Sequence, residues 1–451
     1  MIPNGNNSGF GKGIIICAPS SGSGKTLLTL GLLRYLRNSG VRVVSGKVGP
    51  DYIDAAFHVA ASGAQCKNLD PWAMRPSTLS RFVSDLAISS EIVIIEGVMG
   101  LFDGVGLPCD PNDGSSAALA AMINLPVVLV IDASGQAESA AVVLKAFANE
   151  RKSVKIKGVI FNFVGSKRHA DILSEAVRHY APGIKVLGAL PKNREMVLPE
   201  RHLGLVQALE HPSLNAFLDK AASWVGENID VSSLCNFART SSKMTSNKAE
   251  ILLSPLGQHI AVARDAAFSF TYDSILDGWR SAGAEVSFFS PVSDEGPSKN
   301  ADAIFMPGGY PELHLGVLSS NENFLSGVRR AASRGVVVYG ECGGYMVLGE
   351  GVVDNNGERY PMLGLLGLEA TVEAPKLHLG YRQVSLIKNG VLGEIKKRFR
   401  GHEFHFASFF EQRADASLFN VEDANGRNLN KQGLERKNVF GSFIHLIDSV
   451  D

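Results

Sequence analysis

The sequence predicts an α/β protein made of two consecutive domains, and three observations carry that prediction. Short runs rich in Val and Ile alternate with helical patterns in both halves of the chain. The runs are continuously apolar, as expected for parallel strands that are covered on both faces. The chain has 451 residues, which is more than one hydrophobic core normally organises. We therefore expect a doubly wound parallel sheet followed by a second α/β domain.

The first half contains candidate strands separated by helical segments such as Thr26–Ser39 and Ala137–Glu150. The strands are predicted at Gly13–Ala18, Val41–Ser45, Ile92–Glu96, Val127–Asp132, Gly158–Phe163 and Val186–Ala189. In a sheet of this kind, functional groups gather at the carboxyl ends of the strands. The loops that follow these runs are therefore the candidate functional segments.

A polar stretch separates the two halves. Between Asn228 and Pro255 the periodicity breaks down, and small polar residues are concentrated in Ser232–Ser246, which is typical of a linker. We predict a first domain over residues 1–230, a linker over 231–257 and a second domain over 258–451. The strands of the second domain are predicted at Ile260–Ala263, Glu285–Phe289, Ala303–Met306 and Val336–Tyr339.

The loop after the first strand has the pattern of a phosphate-binding loop. An apolar run leads into a Gly/Ser segment, and Lys-Thr opens a helical pattern, which is the order that such a loop needs. Backbone N–H groups would surround phosphate oxygens, Lys25 would reach the β/γ-phosphates, and Thr26 would hold Mg²⁺ through its hydroxyl group. A plain Ser/Gly turn is the less favoured alternative. The predicted nucleotide-binding residues are Ser21, Gly22, Ser23, Gly24, Lys25 and Thr26.

One residue departs from this pattern. Pro19 stands where G-x-x-x-x-G-K-[ST] has its first glycine.

Two acidic loops flanked by glycines follow other strands of the first half. Asp51 follows the run from Val41, and Glu96 ends the run that begins at Ile92. A carboxylate just past a strand and opposite a phosphate loop is well placed to hold Mg²⁺, directly or through water. Such an aspartate is also a common turn former, so both roles stay open. With Thr26, Asp51 and Glu96 are the predicted metal ligands.

The second half carries the pattern of a cysteine nucleophile. Gly340-Glu341-Cys342-Gly343-Gly344 follows a predicted strand and precedes the helical segment Tyr345–Glu350. This matches a nucleophile elbow with Cys in place of Ser, in which the glycines permit the tight turn. The helix N-terminus is expected to lower the thiol pKa and to favour the thiolate. The alternative, a buried structural cysteine, is disfavoured by the flanking glycines.

A cysteine nucleophile needs a base and an oxyanion hole. His445 lies at the end of the last apolar run and is the candidate base. The segment Pro307–Glu312 supplies a Gly-rich turn after a predicted strand. The backbone N–H groups of Gly309 and Gly343 are therefore the predicted oxyanion donors.

Two further polar clusters allow more than one interpretation. Arg201 and His202 could contact substrate carboxylates, although a surface salt-bridge cluster is the favoured interpretation of the pair alone. His402 and His405 have an H-x-x-H spacing that could suit a metal. Because no further ligand is clustered nearby in the sequence, we expect a hydrogen-bonding role for these histidines.

Composition excludes several classes of protein. With 44 basic and 45 acidic residues, nothing in the charge favours nucleic-acid binding. Five cysteines without regular spacing argue against a disulfide framework and fit a reducing compartment. Residues 1–13 lack the apolar centre of a signal peptide, and no apolar run approaches membrane-spanning length. We expect a cytoplasmic protein without a membrane partner.

The motifs together resemble one known family. The elbow with Cys342 and His445 resembles a class I glutamine amidotransferase domain, and the front half resembles the dethiobiotin synthetase-like P-loop group. Their fusion in this order resembles the cobyrinic acid a,c-diamide synthase family of cobalamin biosynthesis, with phrases closest to its aerobic-pathway branch. The resemblance covers nearly the whole chain and rests on Ala18–Thr26, Gly49–Asp54, Glu96–Gly104, Leu198–Val206, Pro307–Leu313, Gly340–Gly344, His378–Arg382, His402–His405 and Ser442–Leu446.

The chain departs from the wider amidotransferase class at one position. Many class I members have a glutamate two residues after the catalytic histidine, whereas this chain has Ile447 there. The resembled family also lacks this glutamate, which implies a Cys-His dyad. What orients His445 is therefore left open.

The resemblance implies a ligase that uses ATP, Mg²⁺ and L-glutamine. It would amidate the a and c acetate carboxylates of a corrinoid carboxylic acid through an acyl phosphate, with Tyr52, Asp54 and Asp103 as substrate-binding residues. Two alternatives stay open. One is a cobyric acid synthase-type amidase of other corrin carboxylates. The other is a ParA-like nucleotide switch with an inactive amidotransferase domain, against which the presence of both Cys342 and His445 argues. The presence of cobalt in the corrin and the oligomeric state, a homodimer included, also stay open.

Overall fold

The computed structural model describes residues 12–106, 113–193, 195–196, 200–201, 204–205, 213–240, 251–411 and 414–450. The chain divides into two compact units, Met1–Trp72 with Pro76–Asn247 and Ala73–Arg75 with Lys248–Asp451. The predicted linker over 231–257 begins with a helix, Val231–Phe237. Arg239 then exchanges backbone hydrogen bonds with Gly13 of the first unit. The start of the predicted linker therefore has regular structure, a helix of 7 residues.

The first unit is built on a parallel sheet, in which the described residues form seven strands in the order β3-β2-β4-β1-β5-β6-β7. Its central strands are fully buried because helices cover both faces, as their continuous apolar sequences predict. The strands are β1 (Lys12–Cys17), β2 (Val43–Val48), β3 (Cys66–Leu69), β4 (Ile92–Glu96), β5 (Pro126–Asp132), β6 (Lys155–Val164) and β7 (Lys185–Pro191), with a separate pair, β8 (Glu200–Arg201) and β9 (Gly204–Leu205).

Polar side chains begin several of the helices in this unit. Asp51, Ser115 and Ser166 each accept a hydrogen bond from a backbone N–H group in the first turn, as residues at the N-cap position commonly do. The helices are α1 (Lys25–Asn38), α2 (Tyr52–Ser62), α3 (Pro76–Ile88), α4 (Ser116–Ile123), α5 (Glu138–Glu150), α6 (Lys167–Tyr180), α7 (Leu214–Asn228) and α8 (Val231–Phe237).

The second unit contains a mixed sheet, with strands in the order β11-β10-β12-β13-β22-β21-β20-β17-β18-β23. The five strands from β11 to β22 pair in parallel. The remaining pairs are antiparallel. The strands are β10 (His259–Ala263), β11 (Glu285–Phe289), β12 (Ala303–Met306), β13 (Val337–Glu341), β17 (His378–Leu386), β18 (Arg398–His405), β20 (Ala416–Asp423), β21 (Asn428–Arg436), β22 (Val439–Ser442) and β23 (Ile444–Val450).

A smaller sheet and short helices complete the second unit. The sheet contains β14 (Gly351–Val353), β15 (Arg359–Pro361), β16 (Leu368–Thr371) and β19 (Ser408–Glu411). The helices are α9 (Asp273–Ser281), a 3₁₀ helix at Pro311–Leu313, α10 (Leu315–Ser320), α11 (Glu322–Ser333) and α12 (Gly343–Leu348). Within the described ranges, none of the helices has both the length and the apolar character that crossing a membrane requires.

Candidate active sites

The predicted phosphate-binding loop connects β1 to α1. Gly22 and Gly24 have φ angles of 76° and 85°, a left-handed conformation that glycine adopts without a steric penalty. A Cβ atom on Gly24 would lie 2.1 Å from Nδ2 of Asn162. That buried amide also donates a hydrogen bond of 3.0 Å to the carbonyl oxygen of Ser23. The loop is therefore held open from the side of β6.

Lys25 closes the loop on itself. Its ammonium group donates a hydrogen bond of 3.1 Å to the carbonyl oxygen of Ser20. Burial, reinforced by the nearby charge of Lys47, lowers the pKa of Lys25, whereas Glu96 acts in the opposite direction. Because the cation is already held at the loop, a phosphate group could bind to it without a large movement of the chain.

The hydroxyl group of Thr26 lies against the end of β4. It donates a hydrogen bond of 2.6 Å to Oε1 of Glu96. Because the hydroxyl group donates its only proton to this bond, its oxygen lone pairs remain available to a hard cation such as Mg²⁺. The donor set of the loop thus fits Mg²⁺, and the metal-binding roles of Thr26 and Glu96 stay predictions.

Glu96 is the centre of a buried ionic network. Its Oε1 atom also accepts a hydrogen bond of 2.8 Å from Lys47, and its Oε2 atom lies 2.7 Å from Nε2 of His58. Lys47 is in turn paired with Asp54 at 2.5 Å. Burial alone would raise the pKa of Glu96, but the charge of Lys47 and the hydrogen bond of His58 hold that pKa well below its usual value.

The partners of Glu96 are charged as well. Burial would lower the pKa of Lys47, but Asp54 and Glu96 raise it above its usual value. Burial would also lower the pKa of His58, yet Cys66 and Glu96 raise it to about 10. Two carboxylates therefore compensate two buried cations, as buried charges require.

The other predicted residues of this unit lie near the same edge of the sheet. Asp51 caps α2 by accepting hydrogen bonds from the backbone N–H groups of Ile53 and Asp54, which is the turn-forming role that the sequence left open. A metal role for Asp51 stays a prediction. Tyr52 is the first residue of α2 and is partly buried.

Asp103 is exposed in the loop after β4. Its Oδ2 atom accepts a hydrogen bond of 2.9 Å from the backbone N–H group of Gly100. The same loop packs on the phosphate-binding loop, since the N–H group of Leu101 donates a hydrogen bond of 2.8 Å to the carbonyl oxygen of Ala18. The structure therefore brings Asp103 close to the predicted nucleotide site.

In the second unit, Cys342 lies in a strained turn between β13 and α12. Its φ and ψ angles are 48° and −109°, a combination that non-glycine residues rarely adopt. Glycines around it allow a close approach of the chain: a Cβ atom on Gly344 would lie 2.0 Å from the carbonyl oxygen of Met306. These are the features of the predicted nucleophile elbow.

The predicted ionisation of Cys342 is wrong. The thiol is buried, and burial together with the negative charge of Glu312 raises the pKa of Cys342 far above its usual value, although the N–H group of Gly343 opposes this. The helix that follows, α12, has only 6 residues, so its dipole does not outweigh burial. The cysteine is therefore a thiol at rest, and nucleophilic attack requires a base.

His445 and Cys342 lie near each other, next to Gly308. A Cβ atom built on Gly308 would lie 3.2 Å from Nε2 of His445 and 3.3 Å from Cβ of Cys342. The two side chains thus flank one glycine, which leaves room between them. This arrangement suits proton transfer from the thiol to the imidazole.

The predicted oxyanion donors also come together. A Cβ atom on Gly343 would lie 3.3 Å from the backbone nitrogen of Gly309. Gly309 has a φ angle of 157°, and a Cβ atom there would lie 2.1 Å from the carbonyl oxygen of Ala267. Only glycine fits at this position, next to the turn that carries the nucleophile.

The two histidines of the H-x-x-H pattern occupy different environments. His402 stacks on His445 with ring centroids 4.8 Å apart, and burial together with the charge of His445 lowers the pKa of His402 well below its usual value. His405 contacts Glu403 at 2.8 Å and the carbonyl oxygen of Ala407 at 2.9 Å. The hydrogen-bonding role expected from the sequence is what the structure gives for His405.

A group of possible metal ligands does form at His405. Atoms of His378, Glu403 and His405 lie within 4.8 Å of one another, although the sequence indicated no such cluster. The rings of His378 and His405 are stacked with only 8° between their planes. Because an imidazole lone pair lies in the plane of its ring, these parallel rings do not converge on one ion.

Some predicted residues lie outside the description, and some important residues were missed. His202 lies outside the described residues, and of Arg201 only the backbone is described, in β8. Sequence reasoning gave no role to Lys47, His58, Asn162 and Glu341. Lys47 could have been identified because a charged side chain within a buried apolar strand is unusual. The contacts of the other three residues depend on the fold.

Two protein-family models match the chain. The description "CobQ/CobB/MinD/ParA nucleotide binding domain" applies to residues 14–206, and "CobB/CobQ-like glutamine amidotransferase domain" applies to residues 259–450. Their order confirms the predicted fold class, a P-loop domain followed by a glutamine amidotransferase domain.

Relatives match along nearly the whole length of the chain. The hydrogenobyrinate a,c-diamide synthase of Brucella anthropi is 49% identical over 438 residues, which cover 97% of this chain and 98% of that protein. The protein of the same name from Rhizobium meliloti is 48% identical over 441 residues, with coverage of 97% and 99%. The protein of that name from Brucella abortus is 49% identical over 439 residues, with coverage of 97% and 98%.

Proposed function

Because this chain belongs to the cobyrinic acid a,c-diamide synthase family, we propose that it converts hydrogenobyrinic or cobyrinic acid to the a,c-diamide with ATP and glutamine. Membership makes the chain a glutamine-hydrolysing amidating enzyme. The observation that carries the proposal is the presence of two equipped sites in one chain. One is a phosphate-binding loop with Thr26 on Glu96, and the other is a nucleophile elbow with His445 beside Cys342.

The first unit would activate the carboxylate. A carboxylate is a poor electrophile because its negative charge repels nucleophiles. One carboxylate oxygen attacks the γ-phosphorus of ATP and ADP leaves, which gives an acyl phosphate. Lys25 and the N–H groups of the loop offset the charge on the phosphoryl group during this transfer. Thr26 would hold Mg²⁺, which when bound neutralises charge on the phosphates, and Tyr52, Asp54 and Asp103 would contact the corrinoid substrate.

The second unit would supply the nitrogen. His445 takes the proton of Cys342, and the thiolate attacks the side-chain carbonyl carbon of glutamine. The N–H groups of Gly309 and Gly343 stabilise the oxyanion. The amide nitrogen takes a proton and leaves as ammonia, and water hydrolyses the remaining thioester to glutamate. Ammonia attacks the carbonyl carbon of the acyl phosphate, loses a proton and expels phosphate, which leaves the amide. A second round amidates the second acetate.

The test is to count the amides that the enzyme adds. The full chain is incubated with ATP, Mg²⁺, glutamine and either hydrogenobyrinic or cobyrinic acid, and the products are analysed by mass spectrometry. Two amides on one corrin support the proposal, and comparison of the two acids shows which is preferred. Amides at other corrin carboxylates would favour the cobyric acid synthase-type alternative. ATP hydrolysis without any amide would favour the nucleotide switch.

A further inference from the structure

We propose that Glu341 is the positioning residue for His445, an inference that rests on the proposed function. The Oε2 atom of Glu341 lies 3.5 Å from Nδ1 of His445. Glu341 immediately precedes Cys342 in the chain, so the carboxylate comes from the nucleophile's own strand. Many class I amidotransferases place a glutamate two residues after the histidine, whereas Ile447 occupies that place here and is buried.

The carboxylate is held firmly in its position. Glu341 is only 3% exposed. Its Oε1 atom accepts a hydrogen bond of 2.7 Å from the hydroxyl group of Tyr339 and another of 3.1 Å from the backbone N–H group of Leu446. Two donors on one oxygen fix the plane of the carboxylate and leave Oε2 directed at His445. Because Leu446 is the neighbour of His445, Glu341 contacts β23 at two adjacent residues.

This arrangement selects the form of His445 that can act as a base. A carboxylate next to Nδ1 favours the tautomer with a proton on Nδ1, since that proton can be donated to Oε2. Nε2 then carries the lone pair, and this is the atom next to Gly308 and Cys342. When His445 takes the thiol proton, the carboxylate compensates the new positive charge. The present distance is longer than a good hydrogen bond, and such contacts commonly shorten once substrate is bound.

The other groups near His445 are less suited to this task. His402 stacks on the face of the ring, and burial lowers the pKa of His402 well below its usual value. Glu403 on β18 already engages His405 and Arg382, at 2.8 Å and 2.7 Å. The negative charge of Glu312, on the 3₁₀ helix, raises the pKa of the Cys342 thiol.

The test compares Glu341→Gln with wild type in two reactions. Glutamine-dependent amidation should lose about 100-fold in kcat, the lower end of what general-base catalysis contributes, with little change in KM for glutamine. Amidation supported by ammonium chloride should be unchanged, because it bypasses the cysteine. Glu369→Gln is the matched control: Glu369 is another buried carboxylate of this unit, paired with Arg359 at 2.7 Å, and its variant should keep the wild-type kcat.

Two further measurements keep the proposal falsifiable. Tyr339→Phe removes one donor from Oε1 of Glu341 and should lower kcat, although less than Glu341→Gln does. This variant tests the proposal even if Glu341→Gln folds poorly. The proton on Nδ1 of His445, assigned by NMR through its loss in His445→Asn, should be observed in wild type and lost or shifted in Glu341→Gln.

The outcomes separate this proposal from the proposed function. If wild type forms no amide from glutamine or from ammonium, the proposed function fails, and the Nδ1 proton still decides the role of Glu341. If wild type is active but Glu341→Gln keeps its glutamine-dependent kcat and its Nδ1 resonance, Glu341 does not position the base.

Discussion

The hydroxyl group of Thr26 donates a hydrogen bond of 2.6 Å to the buried carboxylate of Glu96. This bond joins the start of α1 to the end of β4, strands β1 and β4 being neighbours in the sheet. Glu96 cannot move away from Thr26 easily, since Lys47 and His58 hold its two oxygens. The orientation of the proposed metal ligand is thus set before nucleotide binds.

Replacing Thr26 should therefore change the metal dependence of the enzyme. Thr26→Ala removes the hydroxyl oxygen, and we expect the Mg²⁺ concentration for half-maximal amidation to rise about tenfold, which corresponds to about 1.4 kcal/mol. Thr26→Ser keeps the oxygen and should stay near wild type. Equal Mg²⁺ titrations for wild type and Thr26→Ala would contradict the assignment.

His58 should make the stability of the protein depend on pH. Its pKa is raised to about 10 in the folded state, against an ordinary value of about 6.5. A raised folded pKa contributes stability that is fully present below about pH 6.5 and is lost as pH rises through about 10. We expect the difference in free energy of unfolding between wild type and His58→Gln to shrink by about 1 to 4 kcal/mol between pH 6 and pH 10.

Urea denaturation of both proteins at several pH values measures this difference. Charges other than that of His58 are common to the two proteins and largely cancel in the comparison. A difference that stays constant from pH 6 to pH 10 would mean that the pKa of His58 is not raised in the folded state.

Two substitutions of Cys342 separate chemistry from strain. Both Cys342→Ala and Cys342→Gly should abolish glutamine-dependent amidation while ammonium still supports it. Because φ at this position is 48°, the free energy of unfolding of the glycine variant should be about 1 kcal/mol higher than that of the alanine variant. Glutamine-dependent activity that survives either change would contradict the assignment of Cys342 as the nucleophile. Equal free energies of unfolding for the two variants would mean that the backbone at Cys342 is not strained.

Gly344 and Gly278 form a matched pair for the close approach at the elbow. A Cβ atom on Gly344 would lie 2.0 Å from a backbone oxygen, whereas one on Gly278 in α9 would have no atom within 4 Å. Gly344→Ala should therefore lower the free energy of unfolding by about 1 to 3 kcal/mol and reduce glutaminase activity. Gly278→Ala should leave activity intact and stabilise α9 by up to about 1 kcal/mol. Equal thermal midpoints for the two variants would contradict this.

The parallel strands could be predicted closely from the sequence. β4, β11 and β12 begin and end at the predicted residues, because continuous apolar runs are a local property of the chain. β3 was missed because Lys67 and Asn68 interrupt its apolar pattern. The antiparallel strands β17 and β21 were also missed, since their partly exposed residues show no continuous apolar run.

The site could be predicted only as far as its motifs extend. Cys342 and the phosphate-binding loop stand in local patterns, and so they were identified. The contact of Glu341 with His445 joins residues from β13 and β23, which lie far apart in the chain, so no spacing rule indicates it. The raised pKa of Cys342 has the same origin, because burial and the charge of Glu312 arise only in the folded unit.

Because Glu341 and Cys342 are consecutive residues, their separation is fixed by covalent bonds. Insertions in the loops of the second unit can change the surroundings of the thiol without changing this pair. A single missing or extra residue between Tyr339 and Cys342, however, would turn the carboxylate to the opposite side of the sheet. Transplanting this machinery onto another sheet would thus require two short segments, Tyr339–Gly344 and Ile444–Leu446, in the same mutual register.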